Sequence, residues 1–399
     1  MQFDVNTIKN FENKFGAPLY VFDEKGFILN YRHFEQCFSS KYQNYKISYS
    51  YKTNYAPYIG RLVKQLGGYA EVVSDMELEI ARYVGYQDNQ IVYNGPSKGP
   101  LWRPFLINGG ILNVDNFEEL DRIRHFAVEN PDIDLKIGLR VNIDIGQSFI
   151  SRFGIDETDL QKAFDIVAKC GNLCVRGIHC HIGRSRTTDA WKNRVNKMLA
   201  IADRFFAEVP DYISLGSGMF GVMDPLLGEQ FGKDLPSFEE YAFAVASIFN
   251  EHFKEGKKPV LFTEPGTTLV NKYIDFIATV ESIKHIKGKT FVVLNCSKHN
   301  LGEICELKRL PIRIISAGSL PETVCEADFV GYTCLEHDVM YKGFTGDLAV
   351  GDYVVFGNVG GYSNVSKPPF IRPNCAMISS TGAVIKRAET TKEILSTYE

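Results

Sequence analysis

The chain has 399 residues, of which 45% are hydrophobic and 23% are charged, and its formal net charge is −4. This length and composition predict a globular protein with a large core and room for two domains. The charge gives no reason to expect nucleic acid or an acidic membrane as a partner. No signal-peptide pattern opens the chain, no apolar run approaches the ~20 residues of a membrane span, and no Cys-x-x-Cys pair occurs among the nine cysteines. We therefore expect a cytoplasmic protein with reduced thiols.

Helix and strand signals alternate through the first two thirds of the chain. A helix is predicted over 4–15, followed by a strand over 19–22. Helix-like stretches then separate eight strand-like runs, a pattern that over roughly 240 residues matches a (β/α)8 barrel. The eight runs are Lys46–Tyr51, Tyr69–Val73, Gln90–Tyr93, Ile111–Val114, Lys136–Val141, Val175–His181, Tyr212–Leu215 and Val260–Glu264.

The pattern changes after about Asn271, where strand-like runs become dense and helical periodicity nearly vanishes. Such a region predicts a mostly antiparallel β domain. The expected fold class is therefore α/β, with a (β/α)8 barrel over 27–272 and a second, β domain formed by 1–26 and 273–399. The absence of a low-complexity linker predicts that the two domains pack closely.

Candidate functional residues follow the predicted barrel strands, at the end where barrel enzymes place their active sites. Burial lowers the pKa of a lysine, and the neutral amine that results can attack a carbonyl group. Lys52, expected at the end of a buried strand, is the candidate for this chemistry. The glycine-rich stretch 215–221 offers backbone N–H groups to an anion such as phosphate. Taken singly, Lys52 could reach water, the glycines could form a tight turn, Glu264 could cap a helix and His181 could be a satisfied core histidine.

Five motifs in order resemble the decarboxylases of the alanine-racemase fold (fold type III), which use pyridoxal 5′-phosphate. This family includes diaminopimelate, ornithine, arginine and carboxynorspermidine decarboxylases. The resemblance runs over nearly the whole chain. The matching motifs are Gly16–Val21, Tyr49–Asn54, His179-Cys180-His181-Ile182-Gly183, Glu264-Pro265-Gly266 and Gly351–Ser363.

The resemblance implies a role for each matching residue toward the cofactor. Lys52 would hold the cofactor covalently, and His181 would stack on its pyridine ring. Glu264 would pair with the pyridine nitrogen, which favours decarboxylation over racemisation because a racemase of this fold has an arginine there. The phosphate would be held by Gly218 with neighbouring backbone amides, Ser217 among them, and by the hydroxyl group of Tyr362.

The resemblance also implies a homodimer with shared active sites. Cys334 would come from the partner subunit and protonate the product carbanion. Arg152 stands where the family has a basic residue before Phe-Gly, and we expect it near the substrate. No metal ion is expected.

Two departures from the family concern the phosphate. The family usually has Glu-Pro-Gly-Arg, but Thr267 occupies the last position here. The family usually has serine after His-x-Gly, but Arg184 occupies that position. We hypothesise that Arg184 supplies the cationic contact that the missing arginine would have made, although it could also be a solvated loop residue.

A third departure concerns the substrate. The family places glutamate or aspartate after the cysteine to bind the distal amine of the substrate, but Leu335 follows Cys334 here. Leucine cannot accept a hydrogen bond. Either Glu336, with His337 beside it, replaces that carboxylate, or the substrate lacks the amine. The second option suggests an amino acid carried on a larger molecule, including a carrier-bound one. The alternatives are authentic diaminopimelate decarboxylase, a racemase, or a catalytically silent regulatory homologue.

Overall fold

The computed structural model describes residues 1–146 and 148–399. The chain forms two compact units. The barrel unit comprises 30–220 and 235–268, and the sheet unit comprises 1–29, 221–234 and 269–399. The sequence pattern did not indicate that 221–234 groups with the sheet unit. The domain boundaries expected at 26/27 and 272/273 stay a prediction.

Eight parallel strands close the barrel, because Ile111–Val114 pairs with both of its neighbours around the ring. The predicted barrel is therefore confirmed, and every predicted strand is present with bounds shifted by at most two residues. A two-residue strand, Ile155–Asp156, pairs with the barrel and was not predicted. The barrel strands are Tyr45–Ser50, Tyr69–Val72, Ile91–Tyr93, Ile111–Val114, Leu135–Asn142, Leu173–His179, Tyr212–Ser214 and Val260–Thr263.

Helices connect the barrel strands, and several begin at a side chain that caps the first turn. Ser74, Asn116, Thr187 and Ser237 each accept a backbone N–H group three residues later. A cap of this kind stabilises a helix by about 1 kcal/mol. The helices are Glu24–Ser39, in which the division between the units falls, and Pro57–Gln65, Asp75–Val84, Trp102–Ile107, Phe117–Glu129, Leu160–Ala168, Thr188–Phe205 and Phe238–His252.

The barrel interior is a packed core with a polar column through it. The ring of Tyr212 fits only because Gly138 and Gly177 face it, where a Cβ atom would collide with the ring or its hydroxyl group. The hydroxyl group of Tyr212 donates to Oδ1 of Asn113 at 2.7 Å, and Nδ2 of Asn113 donates to Oδ1 of Asn94 at 2.7 Å. This column links the core to the carboxyl ends of the strands.

The sheet unit contains nine strands that pair mostly in antiparallel fashion, as predicted. The N-terminal strand Leu19–Phe22 pairs with two of them, which confirms that the start of the chain belongs to this domain. Val339–Leu348 and Val384–Lys386 were not predicted as strands. The remaining strands of this sheet are Ile274–Ile286, Lys289–Leu294, Ile312–Ile315, Glu322–Val330, Tyr353–Phe356 and Ala376–Ser379.

The first helix, Val5–Phe15, covers one face of this sheet. Ile8 and Phe11 from the helix pack in one core cluster with Leu19 and Val21, which lie two residues apart and so point to the same face of their strand. The unit also contains the short helices Pro225–Gly228, Ile304–Leu307 and Thr391–Leu395.

Within the described ranges, every helix is too short or too polar to cross a bilayer. The cytoplasmic location expected from the sequence stays a prediction.

Candidate active site

Lys52 lies in a 3₁₀ turn, Tyr51–Thr53, directly after the strand Tyr45–Ser50. Its Nζ atom is 2.9 Å from Oε2 of Glu71, and Oγ of Ser50 donates to the same oxygen at 2.5 Å. The side chain of Glu71 is buried, whereas that of Lys52 is 31% exposed. The expectation of a lysine on a buried strand is therefore wrong, because the strand ends two residues earlier and the amine lies at the mouth of the barrel.

Glu264 follows the strand Val260–Thr263 and is buried among hydrogen-bond donors. Its Oε1 atom accepts from Nδ2 of Asn94 at 2.9 Å and from Oγ of Ser214 at 2.8 Å. Its Oε2 atom lies 3.1 Å from Nε2 of His179. Asn94 also donates to Glu71 at 3.2 Å, so one amide group connects the carboxylate beside Lys52 with Glu264.

The donors around Glu264 keep it ionised. Burial raises the pKa of this carboxyl group, but the nearby His179 outweighs this effect, and the net pKa lies well below the ordinary value. A carboxylate has about four acceptor positions, of which Asn94, Ser214 and His179 occupy three. One position remains at Oε2, the oxygen that lies 3.8 Å from Nδ1 of His181.

His181 lies two residues beyond the strand Leu173–His179, so the prediction that this strand ends at His181 was wrong. Its Nδ1 atom accepts the backbone N–H group of Ser217 at 3.3 Å. Burial lowers the pKa of His181 to about 4. The carboxylate of Glu264 opposes this effect, whereas the positive charge of Lys52 lowers the pKa as burial does. The imidazole is therefore neutral at pH 7.

This lowered pKa makes a prediction for the cofactor-free protein. The unfolded chain binds a proton at His181 near pH 6.5, but the folded chain binds it only near pH 4. The contribution of His181 to the free energy of unfolding is therefore full above pH 6.5 and falls by about 3 kcal/mol as the pH decreases to 4. Urea titrations across this range should show a shallower pH dependence for His181→Asn than for the unchanged protein. Equal dependences would contradict the assignment.

The glycine-rich stretch forms a tight turn against the segment that carries His181. Gly216 and Gly218 have φ of +67° and +103°, which disfavour any residue with a side chain. A Cβ atom at Gly216 would collide with the carbonyl oxygen of Cys180, and one at Gly218 would collide with that of Ile182. The sequence therefore needs glycine here both for conformation and for space.

The turns of Lys52 and Glu264 also approach each other closely. A Cβ atom at Gly266 would collide with the side chain of Thr53, and the N–H group of Ser50 donates to the carbonyl oxygen of Pro265 at 3.4 Å. Glycine after Glu264-Pro265 thus allows the two chemistry-bearing turns to lie side by side.

The two arginines expected near the ligands lie in exposed loops. The guanidinium group of Arg184 lies 5.7 Å from the ring centre of Phe149, and that of Arg152 lies 4.0 Å from the ring centre of Phe153. Their predicted contacts with phosphate and substrate stay predictions.

Cys334, Glu336 and His337 belong to the sheet unit and are all exposed. The buried Asp338 holds their segment in place. Its side chain accepts from Oγ1 of Thr333 at 2.6 Å, and its backbone N–H group donates to the carbonyl oxygen of Leu335 at 3.0 Å. A fixed loop therefore presents the thiol group.

A cavity of about 580 Å³ lies beside this segment within the sheet unit. Cys334 and Leu335 line it, together with both cations and carboxylates, which are Lys284, Arg372, Glu281, Glu336 and Asp338. Nη1 of Arg372 lies 3.5 Å from Oε1 of Glu281. The guanidinium group of Arg372 lies 4.3 Å from the ring centre of Tyr332, which also lines the cavity. Tyr362, also in the sheet unit, has φ of +57° and is 37% exposed.

The structure thus brings Lys52, His181, Ser217, Gly218 and Glu264 to the carboxyl ends of the barrel strands. No role was predicted from the sequence for the three residues that surround Glu264, which are Asn94, Ser214 and His179. A polar residue at the end of a buried barrel strand was the available signal for all three.

The barrel-unit residues fit pyridoxal 5′-phosphate, which carries an aldehyde, a ring nitrogen and a phosphate group. Lys52 offers an amine to the aldehyde, and Glu264 keeps one acceptor position for a protonated ring nitrogen. The glycine turn has the close packing that lets backbone N–H groups approach an anion.

Comparison with known proteins agrees with this chemistry. The family described as "Pyridoxal-dependent decarboxylase, pyridoxal binding domain" matches residues 28–271, well over half of the chain. Diaminopimelate decarboxylase of Archaeoglobus fulgidus is 27% identical over 396 residues, covering 92% of this chain and 88% of that protein.

Solved structures show the same fold. Diaminopimelate decarboxylase of M. jannaschii, in complex with L-lysine, has a TM-score of 0.84 at 23% identity and covers 98% of this chain and 94% of that chain. Lysine/ornithine decarboxylase of Vibrio vulnificus, in complex with putrescine, has a TM-score of 0.76 at 18% identity, covering 94% and 97%. With the family match, these findings establish that the chain belongs to the pyridoxal-dependent decarboxylases and is an amino acid decarboxylase with pyridoxal 5′-phosphate as its cofactor.

Proposed function

We propose that the chain removes the α-carboxylate of an amino acid whose side chain is part of a larger conjugate, and that Lys52, His181 and Glu264 hold the cofactor for this reaction. In this proposal Nζ of Lys52 would hold the cofactor covalently, at the position that the α-amine of the substrate would take. The neutral ring of His181 stacks on the pyridine ring. Gly218 would bind the phosphate with its N–H group, next to Ser217, whose own N–H group donates to Nδ1 of His181. The hydroxyl group of Tyr362 would add a further contact.

The buried Glu264 carries most of the argument for decarboxylation. Bound pyridoxal 5′-phosphate supplies an electron sink for the pair left on Cα when carbon dioxide departs. Glu264 stays anionic because its pKa is well below the ordinary value, and an anion at this position stabilises a proton on the pyridine nitrogen. A protonated nitrogen strengthens the sink, whereas a neutral or cationic side chain would weaken it.

The proton that replaces the carboxylate would come from Cys334 of the partner subunit. Sγ would donate it to Cα, and Lys52 would then recover the cofactor and release the amine. The exposed position of the thiol group in a fixed loop supports this role, and a homodimer with shared sites is part of the proposal.

The substrate preference rests on the residues around Cys334. Leu335 provides no acceptor for a distal amine. Thr267 is neutral and provides no positive charge for a second carboxylate such as that of diaminopimelate. The cavity of about 580 Å³ beside Cys334 lies within the ~300–1,000 Å³ of sites for drug-sized ligands. Lys284 and Arg372 would bind anionic or carbonyl groups of the conjugate, and Arg152 would contact the substrate from the barrel unit.

A second candidate is diaminopimelate decarboxylation itself, because relatives with that name match nearly the whole chain. In that case Glu336, with His337 beside it, would replace the missing carboxylate after Cys334.

The two candidates are separated by carbon dioxide release from a panel of substrates. We expect a higher kcat/KM for diamino acids acylated on the distal amine than for free diaminopimelate, lysine, ornithine or arginine, because Leu335 disfavours a charged amine. If free diaminopimelate has the highest kcat/KM of the panel, the conjugate proposal is overturned and the second candidate is selected.

Leu335→Glu provides the matched variant for this panel. A new carboxylate should raise kcat/KM for the free diamino acids by about 10-fold or more, the value of one hydrogen bond to a charged group. Leu335→Met, which adds no acceptor, should leave the order of substrates unchanged. If glutamate and methionine act alike, position 335 does not read the distal end of the substrate.

A further inference from the structure

Arg194 is a fully buried arginine that no part of the reaction described above uses. It lies on the helix Thr188–Phe205, and its side chain is inaccessible to solvent. No carboxylate lies within ion-pair distance of it in the ranges 1–146 and 148–399. Burial lowers the pKa of its guanidinium group to about 10, so the group still carries its charge at pH 7. A buried cation without an anion is costly unless other groups compensate it.

The compensation comes from backbone carbonyl groups of two loops. Nη1 donates to the carbonyl oxygens of Leu215 and Ser217 at 2.8 and 2.7 Å, and Nη2 donates to that of Ile182 at 2.7 Å. The guanidinium group lies 3.9 Å from the ring centre of Trp191, whose Nε1–H group donates to the carbonyl oxygen of Gly218 at 3.0 Å.

These contacts determine which way the peptide groups of the glycine turn face. In a trans peptide group the carbonyl and the following N–H point in opposite directions. Because the carbonyl oxygens of 182, 215, 217 and 218 point toward Arg194 or Trp191, the N–H groups of Gly183, Gly216, Gly218 and Met219 point away from that helix. The N–H groups of Gly218 and Met219 donate no hydrogen bond within the part of the chain that the structure describes.

The same contacts also make these N–H groups stronger donors. A charge-assisted hydrogen bond at a carbonyl oxygen polarises its peptide group, so the N–H group of the next residue becomes more positive. The turn therefore combines a fixed array of outward N–H groups with a positive charge behind it, as an anion site requires.

We propose that Arg194 is the residue that makes this turn a phosphate site, holding its peptide groups in the binding orientation and supplying from behind the positive charge absent at Thr267. The inference rests on the proposed function, since it takes the phosphate of the cofactor as the anion at the turn. Arg194 is a positioning residue and does not itself touch the phosphate.

The test compares the binding of pyridoxal 5′-phosphate with that of pyridoxal, which lacks the phosphate, by absorbance titration of cofactor-free protein. Arg194→Met should weaken binding of the phosphorylated form by about 100-fold, within the range for loss of charged hydrogen bonds, and that of pyridoxal by less than about threefold. Arg194→Lys, which keeps the charge but loses the planar fork, should fall between. Arg204→Met, on an exposed position of the same helix, is the control and should match the unchanged protein.

The possible outcomes can be told apart. A phosphate-specific loss in Arg194→Met supports the proposal. An equal loss for both compounds would show a merely structural role and overturn it, as would unchanged binding. A phosphate-specific loss in Arg184→Ala alone would assign the charge to Arg184 and overturn it too. If Arg194→Met does not fold, Arg194→Lys and Trp191→Phe give the same comparison. Failure of the unchanged protein to bind either compound would contradict the proposed function as a whole.

Discussion

Replacing Lys52 with alanine should abolish decarboxylation, with a fall in kcat of about 10³-fold or more, as found when a nucleophile is removed from a catalytic unit. The covalent link to the cofactor cannot form without Nζ. Lys52→Arg should be equally inactive, because it keeps a positive charge beside Glu71 but has no nucleophilic amine. Carbon dioxide release measures activity, and mass spectrometry after borohydride reduction measures the covalent link.

The reduced, unchanged protein should gain the mass of the cofactor, and neither variant should gain it. A Lys52→Ala variant that still released carbon dioxide at the original rate would exclude the amine at position 52 from the reaction. Mixed dimers add a test of the shared sites. Lys52→Ala and Cys334→Ala subunits, inactive alone, should together recover about a quarter of the activity, because half of the dimers are mixed and each has one intact site.

Glu264→Gln should lower kcat by about 100-fold or more, the size expected when a charge that stabilises a transition state is removed from a water-excluded site. Glutamine keeps the shape of the side chain but carries no charge to hold a proton on the pyridine nitrogen. It also brings an N–H₂ group into a position surrounded by the donors Asn94, Ser214 and His179. Steady-state decarboxylation and cofactor affinity should be measured together, so that weak binding is not mistaken for slow chemistry.

Ser214→Ala is the matched control for this change. It removes one hydrogen bond to Glu264, found at 2.8 Å, and leaves the carboxylate with its remaining donors. We expect a reduction in kcat of less than about 10-fold, consistent with one hydrogen bond. If glutamine at 264 were tolerated as well as alanine at 214, the charge of Glu264 would have no part in the reaction.

The fold was predictable because each barrel strand is a short apolar run between polar turns. Strands buried on both faces, such as Ile111–Val114, give this signal most strongly, and here the predicted bounds are the observed ones. Val339–Leu348 escaped prediction because much of it is not buried and it contains two glycines and an aspartate, which are depleted in strands.

The candidate site was predictable where the sequence carries a motif and unpredictable where long-range pairing decides. The hydrogen bond between Asn94 and Glu264 joins positions 170 residues apart, and no local pattern indicates it. Arg194 looks in the sequence like a charged residue on a helix surface. Only the fold shows that this face of the helix is covered by two loops.

The polar column from Tyr212 through Asn113 and Asn94 ties the carboxylate of Glu264 to the packed centre of the barrel, while Leu335 and Arg372 belong to the sheet unit. Under our assignment, the carboxylate that tunes the cofactor belongs to the barrel unit, whereas the residues that line the cavity beside Cys334 belong to the sheet unit. Random variation confined to Leu335, Glu336, His337 and Arg372, with Cys334 unchanged, should then yield enzymes with new substrate preferences at undiminished intrinsic reactivity. Variation in the polar column should instead lower the rate of decarboxylation for every substrate to the same extent.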